Sequence, residues 1–162
     1  LYAISYGAGE GKLADILSCS KAMARRKIKA FWIANSGIAQ AIEALESQYD
    51  SLGHIIGLDG RRLYIRQKHK LLNTWVQNAA AVVFKEWMVS CYKYNQEEAL
   101  KKVEQVLAYH DELGWEFYGT RTRAEWRAEA LCDLVPMIQK KLRVTVPLSA
   151  DYKIGHSYDK VH

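Results

Sequence analysis

Residues 108–117, AYHDELGWEF, decide the fold because they combine a hairpin pattern with charged residues at its bend. Apolar side chains flank the bend on both sides, at Val106, Leu107, Tyr109, Leu113, Trp115 and Phe117. Such alternation predicts two antiparallel β-strands. Tight hairpin turns usually hold glycine because they need positive φ, and His110 and Asp111 supply no glycine. The carboxylates of Asp111 and Glu112 therefore call for a functional explanation.

The composition describes a globular, basic chain. Its 162 residues are 49% hydrophobic, enough for one compact domain or two closely packed subdomains. Lysine and arginine outnumber aspartate and glutamate by 23 to 18, which favours a polyanionic partner without requiring one. Three widely separated cysteines favour a reducing compartment, and no apolar run approaches the ~20 residues of a membrane helix. We expect a soluble, cytoplasmic protein.

Helical periodicity covers much of the remaining chain. Residues 12–49 are predicted to form at least two helices, interrupted near the sequence ANSG, and residues 70–94 are predicted to form one long helix. The core face of the long helix is predicted to hold Leu72, Trp75, Val76, Ala79 and Val83.

A second hairpin and a C-terminal helical region complete the pattern. Two β-rich runs around Asp59-Gly60, in HIIGLDGRRLYIR, predict a short hairpin. Pro136 is expected to kink or interrupt a helix over residues 123–142, and residues 143–162 are expected to be extended. The order of elements predicts an α+β fold.

The N-terminal stretch LYAISYGAG is typical of the last turns of a helix that closes on Gly7 and Gly9. We therefore expect a further segment upstream of Leu1. Tyr2 and Tyr6 are four residues apart, so they share one helix face, either as packing aromatics or as a binding surface.

Asp111 and Glu112 suit a divalent cation, because Mg²⁺ prefers oxygen ligands and typically takes one or two carboxylates. Two-metal phosphoryl transfer needs a second carboxylate from another strand. The other candidates are predicted to lie in a turn (Asp59), a helix (Asp133) and a loop (Asp151). The pattern fits half of a metal site, and it also fits hairpin acids that simply face solvent.

Two polar patterns remain open between a functional and an ordinary surface role. Asn73 and Gln77 lie four residues apart on the long helix, where their amides could read minor-groove acceptors. A basic cluster could face a phosphate backbone or stay solvated; it contains Lys21, Arg25, Arg26, Lys27 and Lys29.

Four stretches taken in order, YAISYGAG, LDGRRLYIR, HKLLNTWVQNAAA and YHDE, resemble the C-terminal portion of family A DNA polymerases, especially the phage replicative branch. The resemblance runs nearly the whole length of the chain. It implies that residues 1–56 form the C-terminal part of the fingers subdomain and that residues 57–162 form most of the palm subdomain. It also implies template-directed DNA synthesis, with primer-template DNA and a deoxynucleoside triphosphate as partners.

The resemblance assigns roles to individual residues. Tyr2 matches a position that contacts the sugar of the incoming nucleotide, and Tyr6 with Gly7 matches the position beside the templating base pair. DNA contacts are implied for four residues of the second and third motifs: Arg66, His69, Asn73 and Gln77. Among these, Gln77 matches the glutamine that senses the minor groove of the new base pair.

The resemblance also explains the carboxylates at the bend. Asp111 matches the aspartate that binds catalytic Mg²⁺, His110 matches a histidine beside the primer end, and Glu112 matches a supporting glutamate. The hairpin then presents Asp111 where metal ions bridge the primer 3′-oxygen and the triphosphate.

Three functional residues of the resembled family match no position in this sequence. The first metal-binding aspartate, and the arginine and lysine that grip the triphosphate, should lie upstream of Leu1. A nucleotidyl-transfer site needs both carboxylates and the cationic clamp, so the chain by itself is predicted to be inactive. We expect it to act with the N-terminal part of the polymerase, in the same chain or as a split subunit. The alternative is a non-catalytic DNA-binding or assembly module that keeps the palm surface.

Overall fold

The computed structural model describes residues 2–5, 7–97 and 103–161, without the side chains of Tyr2, Ser5 and Glu97. The chain divides into two compact units, residues 1–79 and residues 80–162. Within the part of the chain described, no helix is both long enough and apolar enough to cross a membrane.

The first helix, α1 (Tyr2–Ser5), is closed by a left-handed glycine. Gly7 has φ +81, its N–H donates to the carbonyl of Ile4 at 3.0 Å, and the N–H of Ala8 donates to Ala3 at 2.8 Å. This pair of bonds is the Schellman closure, in which glycine adopts positive φ without a Cβ penalty. The predicted closure on Gly7 is confirmed, whereas Gly9 instead precedes the next helix as its N-cap.

Three helices follow: α2 (Glu10–Ile16), α3 (Lys21–Ala34) and α4 (Ser36–Leu52). The predicted break at ANSG is confirmed, because Asn35 alone separates α3 from α4. A second break, before Lys21, was not predicted. It contains Ser18 at φ 48 and Ser20, whose hydroxyl accepts from the Met23 N–H and caps α3. The helices enclose a core of Ile4, Leu13, Ala14, Ala24 and Phe31.

The predicted hairpin around Asp59-Gly60 is present as strands β1 (Ile55–Ile56) and β2 (Arg62–Leu63). The strands are antiparallel, with Ile55 opposite Leu63. A second core of Ile55, Ile65 and Leu71 lies beneath them, with Leu45, Tyr49, Leu63 and Trp75 packed against it. The hydroxyl of Tyr49 donates to the carbonyl of Ile65 at 2.8 Å and so ties α4 to the end of the hairpin.

A short 3-10 turn (Lys68–Lys70) leads into the long helix α5 (Leu71–Glu97). The helix was predicted, but its core face was wrong in part. Leu71 and Val82 are buried, whereas Val76 is 46% exposed. Leu71 and Val82 each lie one residue before a predicted core position, whereas the predicted Trp75 does pack against the second core. The reason is tertiary, because Trp75 donates its indole N–H to the carbonyl of Ile56 at 3.1 Å and turns that face toward the hairpin.

In the second unit, strands β3 (Val103–Tyr109) and β4 (Glu112–Phe117) form the predicted antiparallel hairpin. Tyr109 lies opposite Glu112, which leaves a two-residue turn. Between Gln105 and Leu107 the register shifts by one residue, so β3 carries a bulge at the exposed Val106.

Two helices follow the hairpin, α6 (Arg121–Cys132) and α7 (Leu134–Lys141). The interruption expected from Pro136 is confirmed. It falls at Asp133 because proline lacks an N–H and its ring clashes with the carbonyl four residues earlier, so Pro136 fits only within the first turn of a new helix.

Residues after α7 are extended or irregular, with a final 3-10 turn (Tyr158–Lys160). They form no strand in the part that the structure describes. The side chain of Gln139 holds this segment through Val144 and Leu148. Helices with two small antiparallel sheets confirm the α+β class. The subdomain boundary after residue 56 stays a prediction.

Candidate functional site

The two-residue turn between β3 and β4 adopts positive φ without a glycine. His110 has φ 53, so the first turn residue adopts the left-handed conformation that two-residue hairpins need. Histidine is among the residues that tolerate this region better than most. His110 and Asp111 are both exposed at the tip of the hairpin.

Close packing between the strands supports this turn. A Cβ added to Gly114 would lie 2.8 Å from the Cβ of Leu107, its cross-strand neighbour. Glycine at this position therefore lets Leu107 lie directly across β4. The apolar side chains of β4, at Leu113, Trp115 and Phe117, are half-buried rather than fully enclosed.

The three residues of the HDE sequence differ in environment. The imidazole of His110 contacts the ring of Tyr109 edge-on, with centroids 4.2 Å apart and planes at 71°. The carboxylate of Asp111 is exposed and forms no ion pair or hydrogen bond with the residues described. Glu112 is half-buried. The tip of the turn therefore offers one exposed carboxylate beside an oriented imidazole.

As a donor set, Asp111 and Glu112 fit Mg²⁺ because both are hard oxygen ligands. Over the described ranges, no three His, Cys, Asp or Glu side chains group together as a metal-binding cluster. The turn thus offers oxygen ligands for a divalent cation, but fewer than a complete site needs.

In the first unit, the structure brings Gly7 and His69 together. A Cβ built on Gly7 would lie 3.9 Å from the Cβ of His69. Arg66 and His69 are both exposed. Between them, Lys68 pairs with Asp50 at 2.5 Å, and this hydrogen bond raises the pKa of Lys68. The segment that precedes α5 is therefore an exposed cationic edge beside the glycine that closes α1.

The two predicted amides of α5 have different surroundings. Gln77 is exposed, so its amide is open to a partner. Asn73 is half-buried, and its Oδ1 lacks a hydrogen-bond partner within the described chain. Because buried acceptors are usually hydrogen-bonded, the free Oδ1 of Asn73 favours a hydrogen bond from a donor outside the described residues.

The remaining predicted positions lie partly outside the described residues. Tyr2 belongs to α1, but its side chain is not described, and Tyr6 is outside the described ranges altogether. In the basic cluster, Arg25 forms a two-point ion pair with Glu10, at 2.6 and 3.0 Å. This hydrogen bond lowers the pKa of Glu10, and the pair favours the solvated interpretation for Arg25.

Sequence reasoning missed two sets of residues around the first hairpin. Asn78 accepts a hydrogen bond from the N–H of Leu58 at 3.0 Å and so joins the turn to α5. The rings of His54 and Tyr64 contact each other at 5.6 Å on the outside of the hairpin. Alternation of polar and apolar residues in RLYIR indicates the exposed side of Tyr64, but no local signal indicates Asn78.

The comparisons with known proteins agree with the four motifs. The family described as DNA polymerase family A matches residues 1–160. A DNA-directed DNA polymerase of Escherichia phage Phieco32 is 29% identical over all of this chain, which covers 27% of that protein. A DNA polymerase I of Bacillus caldotenax is 26% identical over 97% of this chain and 19% of its own length.

A solved structure shares the fold. It is the POL domain of Pol1 from M. smegmatis, in complex with DNA primer-template and dNTP. The match has a TM-score of 0.73 at 21% identity and covers 85% of this chain and 26% of the other.

The chain belongs to the family A DNA polymerases. It spans only about a quarter or less of the length of the relatives described here, at 27% and 19%.

Proposed function

We propose that this chain supplies the metal-binding hairpin, part of the nucleotide pocket and part of the DNA-binding surface of a template-directed DNA polymerase. The reaction transfers a nucleotide from a deoxynucleoside triphosphate to the primer 3′-hydroxyl. The observation that carries the proposal is the exposed carboxylate of Asp111 at the tip of a two-residue turn, in a chain of this family.

Asp111 is the proposed ligand of Mg²⁺ in this chain. When bound, the ion supplies charge stabilisation to the primer oxygen and the triphosphate. The hairpin contributes rigidity, because ladder pairing and the Leu107–Gly114 contact hold the turn in one register. Glu112 is proposed to support Asp111, and His110, held against Tyr109, to lie beside the primer end.

The first unit is proposed to hold the nucleotide and the primer-template. Tyr2, Tyr6 and Gly7 are proposed to form the nucleotide end, and the closeness of Gly7 to His69 supports a DNA contact at His69 beside it. Phosphate contacts are proposed for Arg66 and His69. Minor-groove contacts are proposed for Asn73 and Gln77, since amide donors there report base-pair geometry with little sequence information.

We further propose that the chain works with the preceding part of the polymerase, which carries the first metal-binding aspartate and the triphosphate-binding arginine and lysine. The 162-residue chain by itself should bind primer-template DNA weakly, and its affinity should fall steeply as salt rises. It should extend no primer. Robust metal-dependent extension by this chain would contradict that assignment.

The decisive experiment uses the polymerase that contains both parts. Asp111→Asn keeps the size of the side chain but removes its charge, so primer extension should collapse while DNA binding stays within a few-fold. Glu112→Gln should have a milder effect. Glu104→Gln, on β3 and exposed, is the matched control and should extend normally. Normal extension by Asp111→Asn would remove the proposed metal ligand and favour a non-catalytic DNA-binding module.

A further inference from the structure

The first hairpin carries an exposed aromatic and cationic surface, and of its residues only Arg66 has a role proposed above. Exposure alternates along the chain from Arg62 to Arg66, because Leu63 and Ile65 turn toward the core and the other three residues face outward. We call the outward set, with its cross-strand neighbour, the hairpin outer face; it consists of His54, Arg62, Tyr64 and Arg66.

The ring of Tyr64 is held in place although it is 74% exposed. Because Ile55 pairs with Leu63, the antiparallel register puts His54 next to Tyr64. The two ring centroids are 5.6 Å apart, with planes tilted by 44°. His54 is itself oriented, since its Nδ1–H donates to the carbonyl of Leu52 at 2.9 Å. The surface therefore presents a flat ring whose position is supported from the neighbouring strand.

The charge around this ring is positive. Neighbouring cations are already neutralised, because Arg61 pairs with Asp59 at 2.6 Å and Lys68 pairs with Asp50 at 2.5 Å. Arg62 and Arg66 are exposed, and their guanidinium groups form no ion pair or hydrogen bond within the part of the chain described. Two uncompensated guanidinium groups thus flank one accessible aromatic ring.

We propose that the hairpin outer face binds single-stranded DNA, with one base stacked on Tyr64 and backbone phosphates on Arg62 and Arg66. Single strands expose the faces of their bases, whereas duplex DNA hides them within the helical stack. Stacking platforms flanked by cations are the usual way in which proteins hold unpaired strands. This assignment rests on the proposed function, within which the occupant is the unpaired template strand.

An acidic peptide is the competing occupant of two arginines. An acidic peptide would explain the positive charge. It would not explain the exposed ring of Tyr64 in contact with His54, because carboxylates need no aromatic surface for stacking. Charge and aromatic surface together favour a polynucleotide.

The test measures binding of the 162-residue chain to a fluorescent single-stranded oligonucleotide of roughly 12 nucleotides, within the range of single-strand sites, and to the matched duplex. Tyr64→Ala should weaken single-strand binding by about 5- to 150-fold, the equivalent of one lost base–aromatic stack. Duplex binding should change less than twofold. Tyr64→Phe should bind like the wild type, because stacking needs the ring and not the hydroxyl.

Arg62→Gln should reduce the salt dependence of single-strand binding by about 0.7 in the log–log slope, as expected for one lost phosphate contact. The matched control is Tyr92→Ala, since Tyr92 is 57% exposed and lies in the second unit. This control should leave binding unchanged.

Three results would overturn the assignment. The first is an equal single-strand affinity of Tyr64→Ala and Tyr92→Ala, and the second is an equal weakening of single-strand and duplex binding by Tyr64→Ala. The third is complete displacement of the oligonucleotide by polyglutamate, if binding of polyglutamate also requires Tyr64. The measurement needs neither metal nor nucleotide. A negative result here would therefore leave the Asp111 experiment intact, and failed extension would leave this binding result intact.

Discussion

The most direct perturbation of the first unit is Gly57→Ala. Gly57 lies in the β1–β2 turn, where its N–H donates to the carbonyl of Arg61 at 2.9 Å. An added methyl group would lie 2.9 Å from Cγ of Asn78 and closer still to its Oδ1. That Oδ1 is the acceptor for the N–H of Leu58. The added methyl group therefore disturbs the hydrogen bond between Asn78 and Leu58, which joins the turn to α5.

The cost follows from two alternatives. If the Asn78 side chain moves away, the half-buried bond to Leu58 is lost and its partners are left unsatisfied, at about 1–3 kcal/mol. If it stays, the crowding costs about 1–3 kcal/mol, as overpacking does in a well-packed core. Either way, the free energy of unfolding should fall by about 1–3 kcal/mol.

A double-mutant cycle identifies the cause. Asn78→Ala alone should lose the bond to Leu58 and cost about 1–2 kcal/mol, whereas adding Gly57→Ala to it should cost little more because the obstructing amide is gone. Urea unfolding measures the three free energies, and amide hydrogen exchange of Leu58 reports the bond itself. Gly37→Ala, in α4 with nothing within 4 Å of the added Cβ, is the control and should be neutral or stabilising.

Additive costs in the double mutant would refute this reasoning, because the two substitutions would then act independently. A protected Leu58 amide in Asn78→Ala would refute it as well.

Three further predictions concern the polymerase site and the thiols. Gln77→Ala should lower extension from matched primer ends by about fivefold, the equivalent of ~1 kcal/mol, and alter discrimination against mismatched ends; unchanged extension of both would return Gln77 to ordinary surface. With the upstream part present, Tyr2→Phe should exclude dideoxynucleotides while deoxynucleotides are incorporated nearly normally, because the tyrosine hydroxyl can replace a missing 3′-hydroxyl; a competition assay showing equal selectivity would disprove that contact. Burial raises the pKa of the Cys91 thiol to about 12, so Cys91 should be alkylated far more slowly than the half-buried Cys19, and its rate should still rise with each pH unit up to about pH 10. Equal alkylation rates for the two thiols, measured by mass spectrometry, would contradict the burial of Cys91.

Local patterns in the sequence determined much of the fold. Alternation on both sides of residues 110–111 was enough to predict β3 and β4, and Asp59-Gly60 was enough to predict the first hairpin, because strand and turn preferences act over a few residues. Gly7 and Pro136 likewise marked the ends of helices through backbone restrictions that no distant contact can remove. Four motifs in order were enough to indicate the family.

Tertiary structure alone decided how these elements face one another. In α5, Leu71 and Val82 are buried where Leu72 and Val83 were predicted, while the predicted Trp75 keeps its place in the core. This orientation is fixed by the indole of Trp75, which donates to Ile56, and by the side-chain oxygen of Asn78, which accepts from Leu58, both about twenty residues earlier in the chain. Helical periodicity is nearly as well satisfied by either face, so only these distant partners choose between them. The same holds at the bend, where the pairing of Tyr109 with Glu112 confines the turn to two residues and His110 takes positive φ without glycine. Which face of a helix is buried depends on the segment that packs against it, and which residues pair across a hairpin depends on both strands. Neither can be read from one stretch of sequence alone.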